Sequence, residues 1–171
     1  MAGEQTLVPL LFDAWDDLDR AYAGMTAEEA TARPNGASAF GWTLRHLIGG
    51  LDFYVNEVTR GGAMHPTFAR EHAEYEFSGD CGDWDAIAEA AREVRAELET
   101  YFGGMSDADV AATVVPAWGP FPATTLRYLL FRMITHTYYH IGEVATRRGR
   151  EQDFPGALAR VLEGPDFGQE S

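Results

Sequence analysis

Apolar residues recur at spacings of three and four over four long stretches of the chain, and that period predicts four helices. In the first, Leu7, Leu10, Leu11, Ala14, Leu18 and Ala21 mark one apolar face of a helix that follows Thr6 and runs to about Gly24. Pro9 near its start suits a helix N-terminus. Thr26-Ala27-Glu28-Glu29 has the capping-box pattern and predicts a short helical turn, broken by Pro34-Asn35-Gly36. Ser38 is placed to cap a second long helix that reaches about Arg60 and stops at Gly61-Gly62. Residues 63–82 show no period and read as a linking loop with a little helix. Asp83 can cap a third helix, Trp84 to about Phe102, closed by Gly103-Gly104. Its Ala, Glu and Arg content favours that state. Thr124 or Thr125 can cap the fourth, which runs to about Arg148 and is stopped by Gly149. Thr113-Val114-Val115 suits a short extended piece, and Pro155 to Leu162 a short final helix. No strand alternation competes, so the expected class is all-α.

The two halves echo one another. Gly24-Met25-Thr26 follows the first helix and Gly104-Met105-Ser106 the third. Each leads through acidic residues, a proline (Pro34, Pro116) and a Gly/aromatic loop into a capped helix. Two such helix pairs predict a four-helix bundle with approximate two-fold symmetry.

Length and charge narrow the function. A chain of 171 residues is expected to be one domain, residues 1–171. With 13 basic against 27 acidic residues the net charge is −14, which argues against nucleic acid and anionic membranes as partners. The most apolar stretch, Leu126 to Ile134, carries Arg127 and Arg132 and is too short to span a bilayer. The N-terminal residues lack a basic region followed by an apolar one, so no signal peptide is expected. The lone Cys81 suits a reducing compartment, and a cytoplasmic location is expected. Nothing beside Cys81 in sequence supplies a base, so it reads as an inert thiol.

Histidine carries the candidate chemistry. His136 and His140 are four apart, so on the fourth helix they share one face, one turn apart. That spacing lets two imidazoles reach one metal ion. On the helical wheel Leu126, Leu130, Met133, Ile134, Ile141 and Val144 form the core face; the histidines lie at its margin, with Glu143 and Arg132 beside them. The second helix repeats this, with His46 at the edge of a face made by Leu44, Leu47, Leu51, Tyr54, Val55 and Val58. Trp42, Gly50, Phe53 and Glu57 share the His46 stripe, and Gly49 and Gly50 leave space beside it. Three neutral imidazoles on a divalent ion leave a fourth position for water or substrate. Zinc, nickel, copper and iron all suit imidazole.

Plainer readings stand beside these. A His-x3-His pair also occurs on helices that bind no metal. Glu143 suits an i,i+4 ion pair with Arg147 as well as a place behind a ligand. Arg147, Arg148 and Arg150 offset the helix dipole, or clamp a ligand carboxylate. Trp42 and Trp118 suit packing, although Ala117 to Phe121 could line a cleft mouth. His65 and His72 read as solvent-exposed, and Asp16, Asp17 and Asp19 as the wet face of the first helix.

Trp42-Thr43-Leu44-Arg45-His46-Leu47 and His136-Thr137-Tyr138-Tyr139-His140-Ile141-Gly142-Glu143 together resemble the DinB/YfiT-like metalloenzymes. That family includes thiol-dependent S-transferases and mycothiol-dependent maleylpyruvate isomerase. The resemblance covers roughly residues 5–150. It implies a four-helix bundle with up-down-down-up connectivity, frequent homodimers, and a metal held by His46, His136 and His140. Many members have Glu after the first histidine of the pair, where this chain has Thr137, and Gln after the glycine, where it has Glu143. Glu143 is then the nearest candidate for a catalytic carboxylate on this helix. The resulting expectation is an enzyme that uses a divalent metal, zinc first and nickel or iron as alternatives. It would activate a low-molecular-weight thiol against a small electrophile, with Arg132 or Arg147 orienting a carboxylate and Trp118 at the cleft. Metal-assisted hydrolysis is the rival chemistry. A non-catalytic bundle that binds a small ligand, and a metal-free bundle with hydrogen-bonded histidines, are the rival classes.

Overall fold

The computed structural model describes residues 6–69, 78–150 and 153. Helix α1 spans Leu7–Tyr22 and buries Val8, Leu11, Ala14, Trp15, Leu18 and Ala21. Leu10 falls outside that face and is exposed. Thr6 does not cap the helix with its side chain; its N–H donates to Asp107 Oδ1 at 2.9 Å. Asp17 corrects the expected wet face. It is buried and accepts from Arg20 at 2.9 Å, while Asp16 and Asp19 are exposed and pair with Arg95.

Helix α2, Ala27–Thr31, is capped by Thr26, whose hydroxyl accepts from the Glu29 N–H. After a 3-10 turn at Pro34–Gly36 comes α3, Phe40–Asp52. Ser38 is not its cap. Ala39 holds that position without a side-chain bond, and its N–H donates to Gly79 O at 2.8 Å. The second long helix does reach Thr59, but Phe53–Thr59 winds as a π-helix. This wider turn shows in the Arg60 N–H, which donates to Val55 O at 3.0 Å, five residues back.

The link from α3 to the next helix contains the little helix expected of it. Residues 66–69 are helical. Asp52, fully buried, accepts from the His65 N–H and from Asn56 Nδ2, each at 2.7 Å. Burial holds its carboxyl above the usual carboxylate range, against the pull of those two donors. His65 is therefore half-buried, not solvent-exposed, and its Nε2 lies 2.8 Å from Glu93. His72 lies outside the described residues.

Asp83 caps α4, Trp84–Gly103, by accepting from the Ala86 N–H. Helix α5, Asp107–Ala112, starts at a reciprocal capping box between Ser106 and Asp109. The extended piece at 113–115 becomes β1, Val114–Val115, antiparallel to β2, Thr124–Thr125. Trp118 and Phe121 bridge at the tip of this small hairpin. Thr125 caps α6, Leu126–Arg147, by accepting from the Tyr128 N–H. The expected helix at Pro155 to Leu162 lies outside the described residues. No described helix is long and apolar enough to cross a membrane.

Contacts between helix ends fix the connectivity. Tyr22, ending α1, donates to Phe40 O at the start of α3, so those two run in opposite directions. Arg60, just beyond α3, pairs with Glu97 and lies over Tyr101 late in α4, while Gly41 at the start of α3 meets Trp84 at the start of α4. Helices α3 and α4 therefore run parallel. Arg148, at the end of α6, reaches Ala21 O and Ala23 O at the end of α1, so these also run parallel. The result is an up-down-down-up four-helix bundle, in which α1 packs most against α6 and α3 against α4.

Arg148 holds the α1–α6 pair at this end. Its side chain is almost fully buried and also pairs with Glu29, at 2.6 and 3.2 Å. Arg148→Met is expected to cost about 2 kcal/mol, the range for losing charged hydrogen bonds and orphaning their acceptors. Chemical denaturation checks this; a variant as stable as wild type would show that the clamp contributes nothing.

Candidate metal centre

His46 comes from α3 and His136 and His140 from α6, and the bundle brings the three together. One ring nitrogen from each lies within 4.8 Å of the others. His136 Nε2 is 3.1 Å from His140 Nε2 and 3.4 Å from His46 Nε2. Zinc–nitrogen bonds of ~2.0–2.1 Å at tetrahedral angles would space the nitrogens by roughly 3.3 Å. The donor set suits a divalent borderline-soft ion, which would draw the rings together from their widest separation of 4.8 Å.

The tautomers agree with this. His140 Nδ1 lies 2.8 Å from Glu143 Oε2. An ionised carboxylate only accepts, so Nδ1 carries the proton and Nε2 presents its lone pair to the cluster. His136 is held below the ordinary histidine range chiefly by burial. Its ring is therefore neutral at neutral pH. Trp42 stacks on His46 with ring centres 4.9 Å apart and planes 5° apart, which fixes the third ring.

Glu143 has both oxygens engaged. While Oε2 faces His140, Oε1 accepts from Arg147 Nη1 at 2.9 Å. Arg147 in turn donates to Ser38 O at 2.8 Å and lies over the Phe40 ring at 4.3 Å. The i,i+4 ion pair of Glu143 with Arg147 is present, and the same carboxylate bonds the His140 ring. This is the carboxylate–histidine arrangement that orients metal ligands. Neither Glu143 nor Arg147 is among the residues lining the cavity beside the histidines.

That cavity has a volume of about 250 Å³ and opens beside His46 and His136. Gly50 forms part of its wall, and a Cβ there would meet nothing within 4 Å. Trp118 reaches it from the hairpin, edge-on to Phe53 at 4.7 Å and stacked on Phe121. Arg132 is exposed and outside it. Thr137 is buried and supplies no group to it. Arg45 and Phe68 also form its wall, and the helical period did not point to either.

Comparison with known proteins agrees with the fold. The model of the DinB superfamily matches residues 10–144. Among solved structures the chain is similar to YfiT from Bacillus subtilis, described as a probable metal-dependent hydrolase with an unusual four-helix bundle topology. The TM-score is 0.53 at 18% identity, over 84% of this chain and 86% of that one. No protein of curated function matches.

Proposed function

The chain belongs to the DinB superfamily, and we propose that it is a metal-dependent enzyme acting on a small molecule at His46, His136 and His140. One observation carries this: three imidazole nitrogens converge within 4.8 Å, and one of the rings is held by Glu143. A divalent ion on three imidazoles keeps an open position and acts as a Lewis acid, bringing the pKa of water or a thiol within reach of neutral pH. The chain supplies the rest. Glu143 and Arg147 hold the ligand geometry. The apolar wall of Phe53, Phe68 and Met133 excludes water around a bound substrate. No carboxylate is among the described residues lining the cavity.

Hydrolysis is the leading chemistry. The cavity is smaller than the ~300–1,000 Å³ usual for ligand sites, so it suits one small substrate and water better than a substrate and a bulky thiol together. The similarity to YfiT supports the same reading. Thiol transfer, with a low-molecular-weight thiol reaching the open position, is the second reading.

The test is the metal content of tag-free protein by mass spectrometry, followed by ester and amide hydrolysis screens with and without an added small thiol. Near-stoichiometric zinc, nickel or iron with turnover in the absence of thiol is expected. Turnover only with thiol would move the assignment to transfer. No metal, even after incubation with zinc and nickel, would overturn the metalloenzyme reading.

A further inference from the structure

The cavity beside the imidazoles has the walls of a slot for a ring. Phe53, Phe68, Trp118 and Met133 line it, and Gly49 and Gly50 add a stretch of α3 that carries no side chain. A flat body can lie close against such a stretch. At about 250 Å³ the cavity exceeds the ~150 Å³ at which an apolar pocket already takes benzene, so a substituted ring fits. Arg45 in the same wall is already engaged within the protein, so apolar contact rather than a counter-ion carries the recognition.

Trp118 keeps 43% of its surface exposed at this cavity, although an indole gains much from burial. The hairpin holds it there. The Trp118 N–H donates to Phe121 O at 3.0 Å and the Phe121 N–H to Trp118 O at 2.9 Å, across a turn in which Gly119 has a φ of +53°. The indole stacks on Phe121 with planes 6° apart and meets Phe53 edge-on. It is therefore fixed before a ligand arrives, which lowers the entropy lost on binding.

We propose that the cavity takes a small molecule built on a single aromatic ring, and that Trp118 is the residue that selects the ring. The ring packs on Trp118 and Phe53, and its reactive substituent faces His46 and His136. This rests on the reading of the same cavity as the substrate site. Aromatic pairs gain from edge-to-face and offset geometry beyond the area they bury. A saturated ring offers more apolar surface without that geometry, so area alone predicts the opposite preference.

The test titrates the full-length protein with benzamide, cyclohexanecarboxamide and acetamide, as purified and again after chelation, by calorimetry and ligand-observed NMR. Metal content is measured on each sample. All three share the carboxamide, so its contacts with a metal or an imidazole cancel in the comparison. Benzamide is expected to bind about three- to tenfold tighter than cyclohexanecarboxamide, and tighter than acetamide, with and without metal. Trp118→Leu keeps an apolar side chain, removes the indole, and abolishes the preference over cyclohexanecarboxamide. Gly50→Leu fills the cavity, since a Cβ there meets nothing within 4 Å, and abolishes benzamide binding. Benzamide binding no tighter than either other amide, or not saturable, overturns the proposal. So does a ring preference that Trp118→Leu leaves intact. Should Trp118→Leu melt early, undiminished benzamide binding by Gly50→Leu overturns it independently. A protein that holds no metal but keeps the Trp118-dependent preference defeats the metalloenzyme reading and leaves this one standing. A metal-loaded protein without the preference does the reverse.

Discussion

His136→Ala is expected to lose stoichiometric metal, and Glu143→Ala to keep the site but bind metal ten- to a hundredfold more weakly. The two losses differ in kind. His136 occupies the middle of the cluster, with its Nε2 within 3.4 Å of both partner nitrogens. Removing it leaves two donors from different helices. Glu143 touches no other ring of the cluster, but it fixes the His140 tautomer at 2.8 Å. Outer partners of this kind contribute about 10–100-fold to metal affinity. Glu143→Gln keeps an acceptor for Nδ1 and should fall between wild type and Glu143→Ala. Competition titration against a zinc chelator at fixed pH gives all three affinities, and circular dichroism shows whether the bundle is intact. Equal affinities for wild type and Glu143→Ala would mean that packing, with the Trp42 stack on His46 as its visible part, orients the rings without the carboxylate. Retained metal in His136→Ala would place the site elsewhere.

The histidines were legible in the sequence because a regular helix converts spacing into angle. His136 and His140 fell on one stripe, and His46 took the matching place on its own helix. Glu143 was legible for the same reason, being on the same helix and three residues from His140. Arg45 was not. On the wheel it falls away from the core face of α3, where a period-based reading expects solvent. It is buried, and Phe68 from the aperiodic link after α3 lines the same cavity. Phe68 in that link lies 3.4 Å from the place a Gly49 side chain would start, and Gly49 is one turn from Arg45. A covering segment without its own period is invisible to a period search. The same limit explains His65, which looked exposed until Asp52 pinned its backbone. Asp17 failed for a different reason. Three carboxylates close together suggest a wet face, but a helix turns far enough between Asp16 and Asp19 to bury the one between them. The Ser38 cap failed because Gly79, distant in sequence, took the N–H next to it. The π-helical turn at Phe53–Thr59 has no counterpart in the apolar pattern, which suits ordinary and widened turns alike.

Gly41→Ala is expected to destabilise the protein by about 1–3 kcal/mol, the usual cost of overpacking a filled core, and Cys81→Ala to suppress most of that loss. Gly41 opens α3 where it crosses the start of α4. A Cβ built there would overlap Cys81 Sγ, and would sit 3.1 Å from Cys81 Cβ and 3.2 Å from Trp84 Cε3. The buried cysteine thus occupies the space that the missing side chain leaves. A sulfur at the end of a side chain can turn away, but Cys81 is 3% exposed and Trp84 stacks on Tyr22 at 6.1 Å, so little room is free. Cys81→Ala alone should cost about 1 kcal/mol through lost packing, the order of one buried methylene-sized group. The double variant should then be more stable than the sum of the two single losses predicts, since contacting residues couple by ~0.5–3 kcal/mol. Denaturant unfolding of the four proteins closes the cycle. Additive losses would mean that α3 and α4 move apart to admit the methyl without involving Cys81. A coupled result assigns the lone cysteine a packing role: it sets the spacing of α3 against α4 beneath the helix that carries His46 and Arg45.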